Sequence, residues 1–118
     1  MKFTDGVGIV KPETVAEDEH ANAVFDEAID TILTAYQTML EAGIPAEDAR
    51  YILPNAAESK IVITMNIREL LHFFELRCCN RAQWEIRELA HRMLELVRPT
   101  APYIFKDAGA GCVRGACP

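Results

Sequence analysis

Apolar positions recur at intervals of three and four from Ala21 onward: Val24, Phe25, Ala28, Ile29, Ile32, Leu33, Tyr36, Met39 and Leu40 form one broad stripe. That period predicts an amphipathic helix that begins after Asp18 and is closed by Gly43. A stripe of this width suits packing against a core or another subunit better than a ligand box. Residues 1–17 hold no sustained period and contain Gly6, Gly8 and Pro12, so they are predicted to form an extended lead-in. Pro45 opens a short helical turn, AEDARYIL, which Pro54 stops. Glu47 and Asp48 suit its positive end, and Arg50 comes near its C-terminal end as a possible dipole partner. The run Lys60 to Met65 is β-branched and apolar between turn-like residues and is predicted to be a buried strand. One strand cannot stand alone. The chain offers it only a weak candidate around Val7 to Val10, which points to further sequence or to another chain.

Asn66 followed by Glu69 is an N-x-x-E capping pattern, so the strand is expected to pass directly into a helix. The free N–H groups of such a helix start favour phosphate or other electron-rich groups. Arg68 and His72, four apart, share the more polar face of this helix, where a solvated surface is the plain alternative. The last helix is predicted from about Arg81 to Arg98, capped by Asn80 with Gln83 three residues on; Trp84, Ile86, Leu89, Ala90, Met93, Leu94 and Val97 supply its apolar positions, and His91 faces solvent. Pro99 and Pro102 end regular helix. The fold class expected is therefore α+β, predominantly helical, with one or two strands that need partners for a sheet. Residues 18–105 make up its body, and 106–118 form a flexible tail rich in glycine and cysteine.

The 118 residues allow one domain at most, small for a self-contained cofactor enzyme. No apolar run approaches the roughly 20 residues that span a bilayer, and MKFTDGVGIVKPETVAEDEH lacks the pattern of a signal peptide, so a cytoplasmic location is expected. A formal net charge of -6 argues against a general nucleic-acid binder. Positive charge is local instead: Arg68, Arg77, Arg81, Arg87, Arg92 and Arg98 crowd the second half, which suits a small anionic ligand. Four cysteines without an export signal read as reduced thiols. Cys112 and Cys117 could supply half a metal site or a redox pair, but structural zinc wants four ligands at tighter spacings, and no metal site is expected.

The segment NIRELLHFFELRCCNRAQWEI, Asn66 to Ile86, carries the densest chemistry. At about 100° per residue, Arg77 falls on the same side of its helix as Ile67, Leu70, Leu71 and Phe74, the core side. A desolvated guanidinium costs several kcal/mol unless paired, so Arg77 calls for a carboxylate such as Glu85 or Glu88, backbone carbonyls, or a bound ligand. Composition alone leans towards the ion pair.

In order along Asp18 to Phe105 stand a long helix ending in AGIP, the AR-x-x-LP segment Ala49 to Pro54, a strand running into Asn66-x-Arg68, the helix ELLHFFELR, and AQWEI, Ala82 to Ile86, opening the last helix. Together these resemble the C-terminal half of a flavin-dependent thymidylate synthase, and the tail GCVRGACP is similar to that of some bacterial members. The resemblance implies an enzyme making dTMP from dUMP with methylenetetrahydrofolate as carbon donor and NADPH as reductant through FAD. It implies that Arg77 is the active-site arginine on the uracil ring, that Arg50 reaches the dUMP of a neighbouring subunit, and that Asn66, Arg68 and His72 contact FAD; some members have asparagine in place of His72. It also implies a homotetramer. The family's Arg-His-Arg-x-x-Ser signature belongs to the N-terminal half, and none of His20, His72 or His91 has an arginine on both sides. The chain is therefore expected to be inactive alone, as a fragment, a degenerate copy or a subunit that works with a separate N-terminal half. The competing expectation is a non-catalytic helical oligomerisation or nucleotide-binding module derived from that family.

Overall fold

The computed structural model describes residues 7–116. The first six residues of the lead-in and Cys117 lie outside the described residues. The chain divides into two compact units, one up to Ile61 and one from Val62 onward.

In the first unit, α1 (Glu13–Glu17) and α2 (Glu19–Glu41) are separated by Asp18. The lead-in is thus helical over Glu13–Glu17 where an extended segment was expected. Pro12 starts this turn, with its carbonyl accepting from the N–H groups of Val15 and Ala16. Asp18 caps α2, its carboxylate accepting from the Ala21 N–H at 2.7 Å. At the other end Gly43 takes φ +86°. This lets the Gly43 N–H reach the Leu40 carbonyl and the Ile44 N–H reach that of Met39, the Schellman pattern that closes a helix. Ile29, Leu33 and Tyr36 form the buried face of α2. The short helix α3 (Ala46–Ala49) packs on α2, with Ala49 fully buried, and runs into a 3₁₀ turn at Arg50–Ile52. Lys11 holds the lead-in to α2: its ammonium donates to Asn22 at 2.5 Å and to Asp26 at 2.6 Å and sits 5.5 Å from the centre of the Phe25 ring.

Among the described residues no sheet forms, so the strands of the expected α+β arrangement are not realised. The lead-in contributes a single antiparallel bridge, Ile9 to Ala57, flanked by hydrogen bonds from Val10 to Ala56 and from Glu58 to Gly8. Lys60 to Met65, expected as a buried strand, makes no backbone hydrogen bond with any described residue. Its Val62 is 97 % exposed. The segment has the side chains of a strand and lacks a neighbour to complete the ladder.

The second unit is a helical hairpin of α4 (Ile67–Arg77) and α5 (Trp84–Val97) covered by the chain that follows. Phe74, Cys78, Ala90, Leu94, Phe105 and Ala108 form its buried core, with the Phe74 and Phe105 rings edge to face at 6.3 Å. The fully buried Ala90 permits close approach of the two helices. α5 starts at Trp84, later than expected, because Gln83 and not Asn80 caps it: the Gln83 side-chain oxygen accepts from Glu85 and Ile86. Residues 79–82 are spent in a turn closed by Ala82 donating to Cys79. Packing continues past 105, where a flexible tail was expected: Ala108 is in the core, Gly109 takes φ +140°, and Arg114 pairs with Glu75 of α4 at 3.2 Å.

Candidate functional site

Every residue expected to bind substrate or cofactor is exposed: Arg50 in the first unit, and Asn66, Arg68, His72 and Arg77 in the second. Arg50 opens the 3₁₀ turn that follows α3, consistent with its expected place at the end of that short helix. The other four belong to α4 and its cap, and their arrangement follows from the helix itself.

Asn66 caps α4 as its sequence pattern predicts, with its side-chain oxygen accepting from the Glu69 N–H at 2.9 Å. That bond commits the oxygen and leaves the amide nitrogen as a donor beside the helix start. Arg68 follows two residues later and His72 one turn further, so the guanidinium and the imidazole share one edge of the N-terminal half of α4, while the Asn66 amide lies at the helix start and not on that edge. The positive end of the helix adds to the attraction for an anion there.

Arg77 is exposed, whereas the helical projection placed it against the core. It is the last residue of α4, and the apolar stripe is carried on by the buried Cys78, four residues after Phe74. The desolvation cost that called for a buried partner therefore does not arise. The expected ion pairs with Glu85 or Glu88 are not made: Glu88 is bound by Arg92 at 2.7 Å, and the described residues supply no ion pair to Arg50, Arg68 or Arg77. By the helical period Arg77 lies about 140–180° around α4 from His72 and Arg68. The two sets face opposite sides of one helix and do not converge on a single pocket within this unit.

A second cluster was not legible in the sequence. Cys78, His91, Glu95 and Arg98 line a cavity of about 230 Å³ with Ala108 and Val113. Burial pushes the Cys78 thiol above its ordinary pKa, against an opposing pull from the Arg98 guanidinium. Arg98 also donates to the Ala108 carbonyl at 3.4 Å. The i, i+4, i+7 spacing of His91, Glu95 and Arg98 was readable as one face of α5, but its meeting with the tail depends on the Phe105 and Ala108 packing. Cys78, Cys79 and Cys112 are free thiols. Among the described residues no group of three or more His, Cys, Asp or Glu side chains could hold a metal ion, and no helix is long and apolar enough to cross a membrane.

Residues 2–103 match the family model described as thymidylate synthase complementing protein. Among similar proteins, the flavin-dependent thymidylate synthase of Geobacter sulfurreducens is 56% identical over 114 residues, 97% of this chain and 49% of that protein. The enzyme of the same name from Nitratidesulfovibrio vulgaris is 47% identical over 129 aligned residues, 100% of this chain and 53% of that protein. That of Clostridium tetani is 43% identical, covering 93% of this chain and 50% of its own length. The chain thus spans about half the length of the curated relatives it matches, and it belongs to the thymidylate synthase complementing protein family, that of the flavin-dependent thymidylate synthases.

Proposed function

We propose that this chain supplies one wall of the active site of a flavin-dependent thymidylate synthase, which converts dUMP to dTMP with methylenetetrahydrofolate as carbon donor. The observation that carries this reading is a set of exposed cationic side chains, Arg50, Arg68 and Arg77, free of ion pairs with any described residue, in a chain whose family acts in thymidylate synthesis. Exposed arginines held on short elements, α4 with its Asn66 cap and the turn after α3, are suited to grip a nucleotide without first breaking a bond to the fold.

The edge of α4 fits FAD in its donor set. The Asn66 amide nitrogen, Arg68 and His72 would hold electron-rich groups of the dinucleotide near the helix start. FAD, when bound, supplies the route by which reducing equivalents from NADPH reach the pyrimidine. Arg77 would sit on the uracil ring of dUMP. A fixed guanidinium there favours the N3-deprotonated ring and stabilises negative charge that develops as the ring accepts hydride, a task of electrostatic preorganisation. Arg50 would reach the nucleotide bound by a neighbouring copy.

The opposite facing of Arg77 and the Arg68/His72 edge supports sites built from several chains, in keeping with a homotetramer. On α2 the small residues Thr31, Thr34, Ala35 and Thr38 line an open groove that would admit another helix closely. We place the protein in the cytoplasm, where its substrates are made and used. With no Arg-His-Arg-x-x-Ser segment in its sequence, the 118-residue chain is expected to lack synthase activity by itself. Incubation with dUMP, FAD, NADPH and methylenetetrahydrofolate tests this directly, and robust dTMP formation would overturn it. FAD and dUMP titrations test the wall itself: absence of binding both alone and with the complementary half of a relative would leave the non-catalytic module as the better account.

A further inference from the structure

The cavity between α5 and the tail has no part in the proposed synthase chemistry. His91, Glu95 and Arg98 stand at i, i+4 and i+7 along α5 and the turn after it, and all three are exposed where they line this space of about 230 Å³. Behind them the wall is apolar: Leu94 and Ala108 are buried, and Val113 adds a branched side chain from the tail. Cys78 completes the wall, and burial keeps its thiol protonated and uncharged at neutral pH. Gly109, at φ +140°, turns the chain so that Ala108 enters the core while Ala110 packs against the core's edge.

The charges at the rim are opposite and unused. Glu95 has no ion pair and His91 no hydrogen bond with any described residue. Arg98 spends one guanidinium N–H on the Ala108 carbonyl at 3.4 Å, not on Glu95, and a guanidinium has further donors to give. Three residues apart on a helical face, Glu95 and Arg98 have Cβ atoms about 5–6 Å from each other, a spacing that one small molecule carrying both charges bridges. A simple anion would meet Glu95, and a simple cation would meet Arg98. The volume is below the roughly 300–1,000 Å³ of pockets for drug-sized ligands, so the occupant has few heavy atoms.

We propose that this cavity binds a free α-amino acid with a branched aliphatic side chain: its carboxylate on Arg98, its ammonium on Glu95 and the imidazole of His91, its side chain against Leu94, Ala108 and Val113. One α-carbon then carries the three groups that the rim and the wall call for. The site uses none of the residues assigned to FAD or dUMP, so it stands or falls independently of the synthase reading.

Titration of the full 118-residue chain with L-leucine, followed by NMR shifts, tests the proposal. Three analogues each delete one contact: N-acetyl-L-leucine the ammonium, L-leucine amide the carboxylate, and glycine the side chain. Leucine is expected to bind at millimolar concentration, and each analogue at least tenfold more weakly. Leucine should also slow alkylation of Cys78 by iodoacetamide and leave that of Cys112, which is exposed and not part of the lining, unchanged. Glu95→Gln and Arg98→Gln should each weaken leucine binding at least tenfold with helical circular dichroism retained. Because Arg98 also holds the Ala108 carbonyl, Glu95→Gln, whose side chain has no ion pair to lose, decides the matter if the arginine variant loosens the tail. The proposal is overturned if leucine does not bind, or if it binds without shielding Cys78. Equal binding of N-acetyl-L-leucine or of the amide would overturn it in favour of a carboxylate or an amine site, and equal binding of glycine would show that the apolar wall is not used.

Discussion

Asn66 is asked to do two jobs, and substitutions can separate them. Its side-chain oxygen caps α4 through the Glu69 N–H at 2.9 Å, and its amide nitrogen is the proposed flavin donor. Asn66→Ala removes both; an exposed N-cap of this kind is worth about 1 kcal/mol, within a range of about 0.5–2. For a small unit with a urea slope of about 1–2 kcal/mol/M, the unfolding midpoint should fall by about 0.5–1 M. Asn66→Asp keeps an acceptor oxygen at the same place and adds a negative charge at the positive end of the helix, so stability should stay within a few tenths of a kcal/mol of the parent. The same change removes the donor and sets a carboxylate where electron-rich groups would bind. Flavin affinity, measured by fluorescence titration in the assembly that binds FAD, should therefore fall at least tenfold in both variants, a loss of about 1.4 kcal/mol. Urea unfolding followed by circular dichroism supplies the other axis. Equal destabilisation by alanine and aspartate would refute the assignment of the cap to the oxygen, and unaltered flavin binding by Asn66→Asp would refute the donor role of the nitrogen.

Arg77→Ala should leave stability within about 0.5 kcal/mol, since the side chain is exposed and makes no ion pair with a described residue, yet weaken dUMP binding at least tenfold in calorimetric titration; a large stability loss would show that it serves the fold. Phe74→Ala empties the centre of the second unit, where the ring is fully buried, and should cost about 3–5 kcal/mol, read as loss of the cooperative thermal transition. Cys112, exposed, should react with a thiol reagent well before Cys78, which is 4% exposed. Burial holds the Cys78 thiol above its ordinary pKa despite Arg98, so the folded unit keeps a proton that the unfolded chain releases. Its contribution is complete below the unfolded thiol value of about 8.5 and declines as pH rises past it towards the folded value. Urea midpoints between pH 8 and 10 should fall less steeply in Cys78→Ala than in the parent.

Features set by neighbours in sequence were legible from the chain alone. Asp18 and Gly43 bound α2 through bonds spanning five residues or fewer, and Asn66 caps α4 through one spanning three. Features set by distant residues were not. Lys60 to Met65 has the side chains of a strand, but pairing depends on a second strand beside it, and no described residue makes a backbone hydrogen bond to it. Arg77 was projected inward by an ideal helix that ends at that residue, where the turn into Cys78 hands the stripe to a smaller side chain. Gln83 displaced Asn80 as cap because the chain first closes a turn at Cys79 to Ala82. The order of the tail depends on Phe105 and Ala108 entering a core built by α4 and α5, contacts that no local period announces. For the candidate site, the residue types, the helix positions and the division of Arg77 from Arg68 and His72 around α4 were readable, while the exposure of Arg77 emerged only when the end of the helix and its core face were known.

That division gives α4 a mechanical character. Its eleven residues form a rod about 16 Å long, anchored through Phe74 and Phe105, with Arg68 and His72 on one flank and Arg77 on the other. A rod turns as a whole. Under the proposed roles, a turn of the helix that moved one flank would move the other in the opposite direction, so two ligands held there would be coupled without touching, and by thermodynamic linkage to an equal extent.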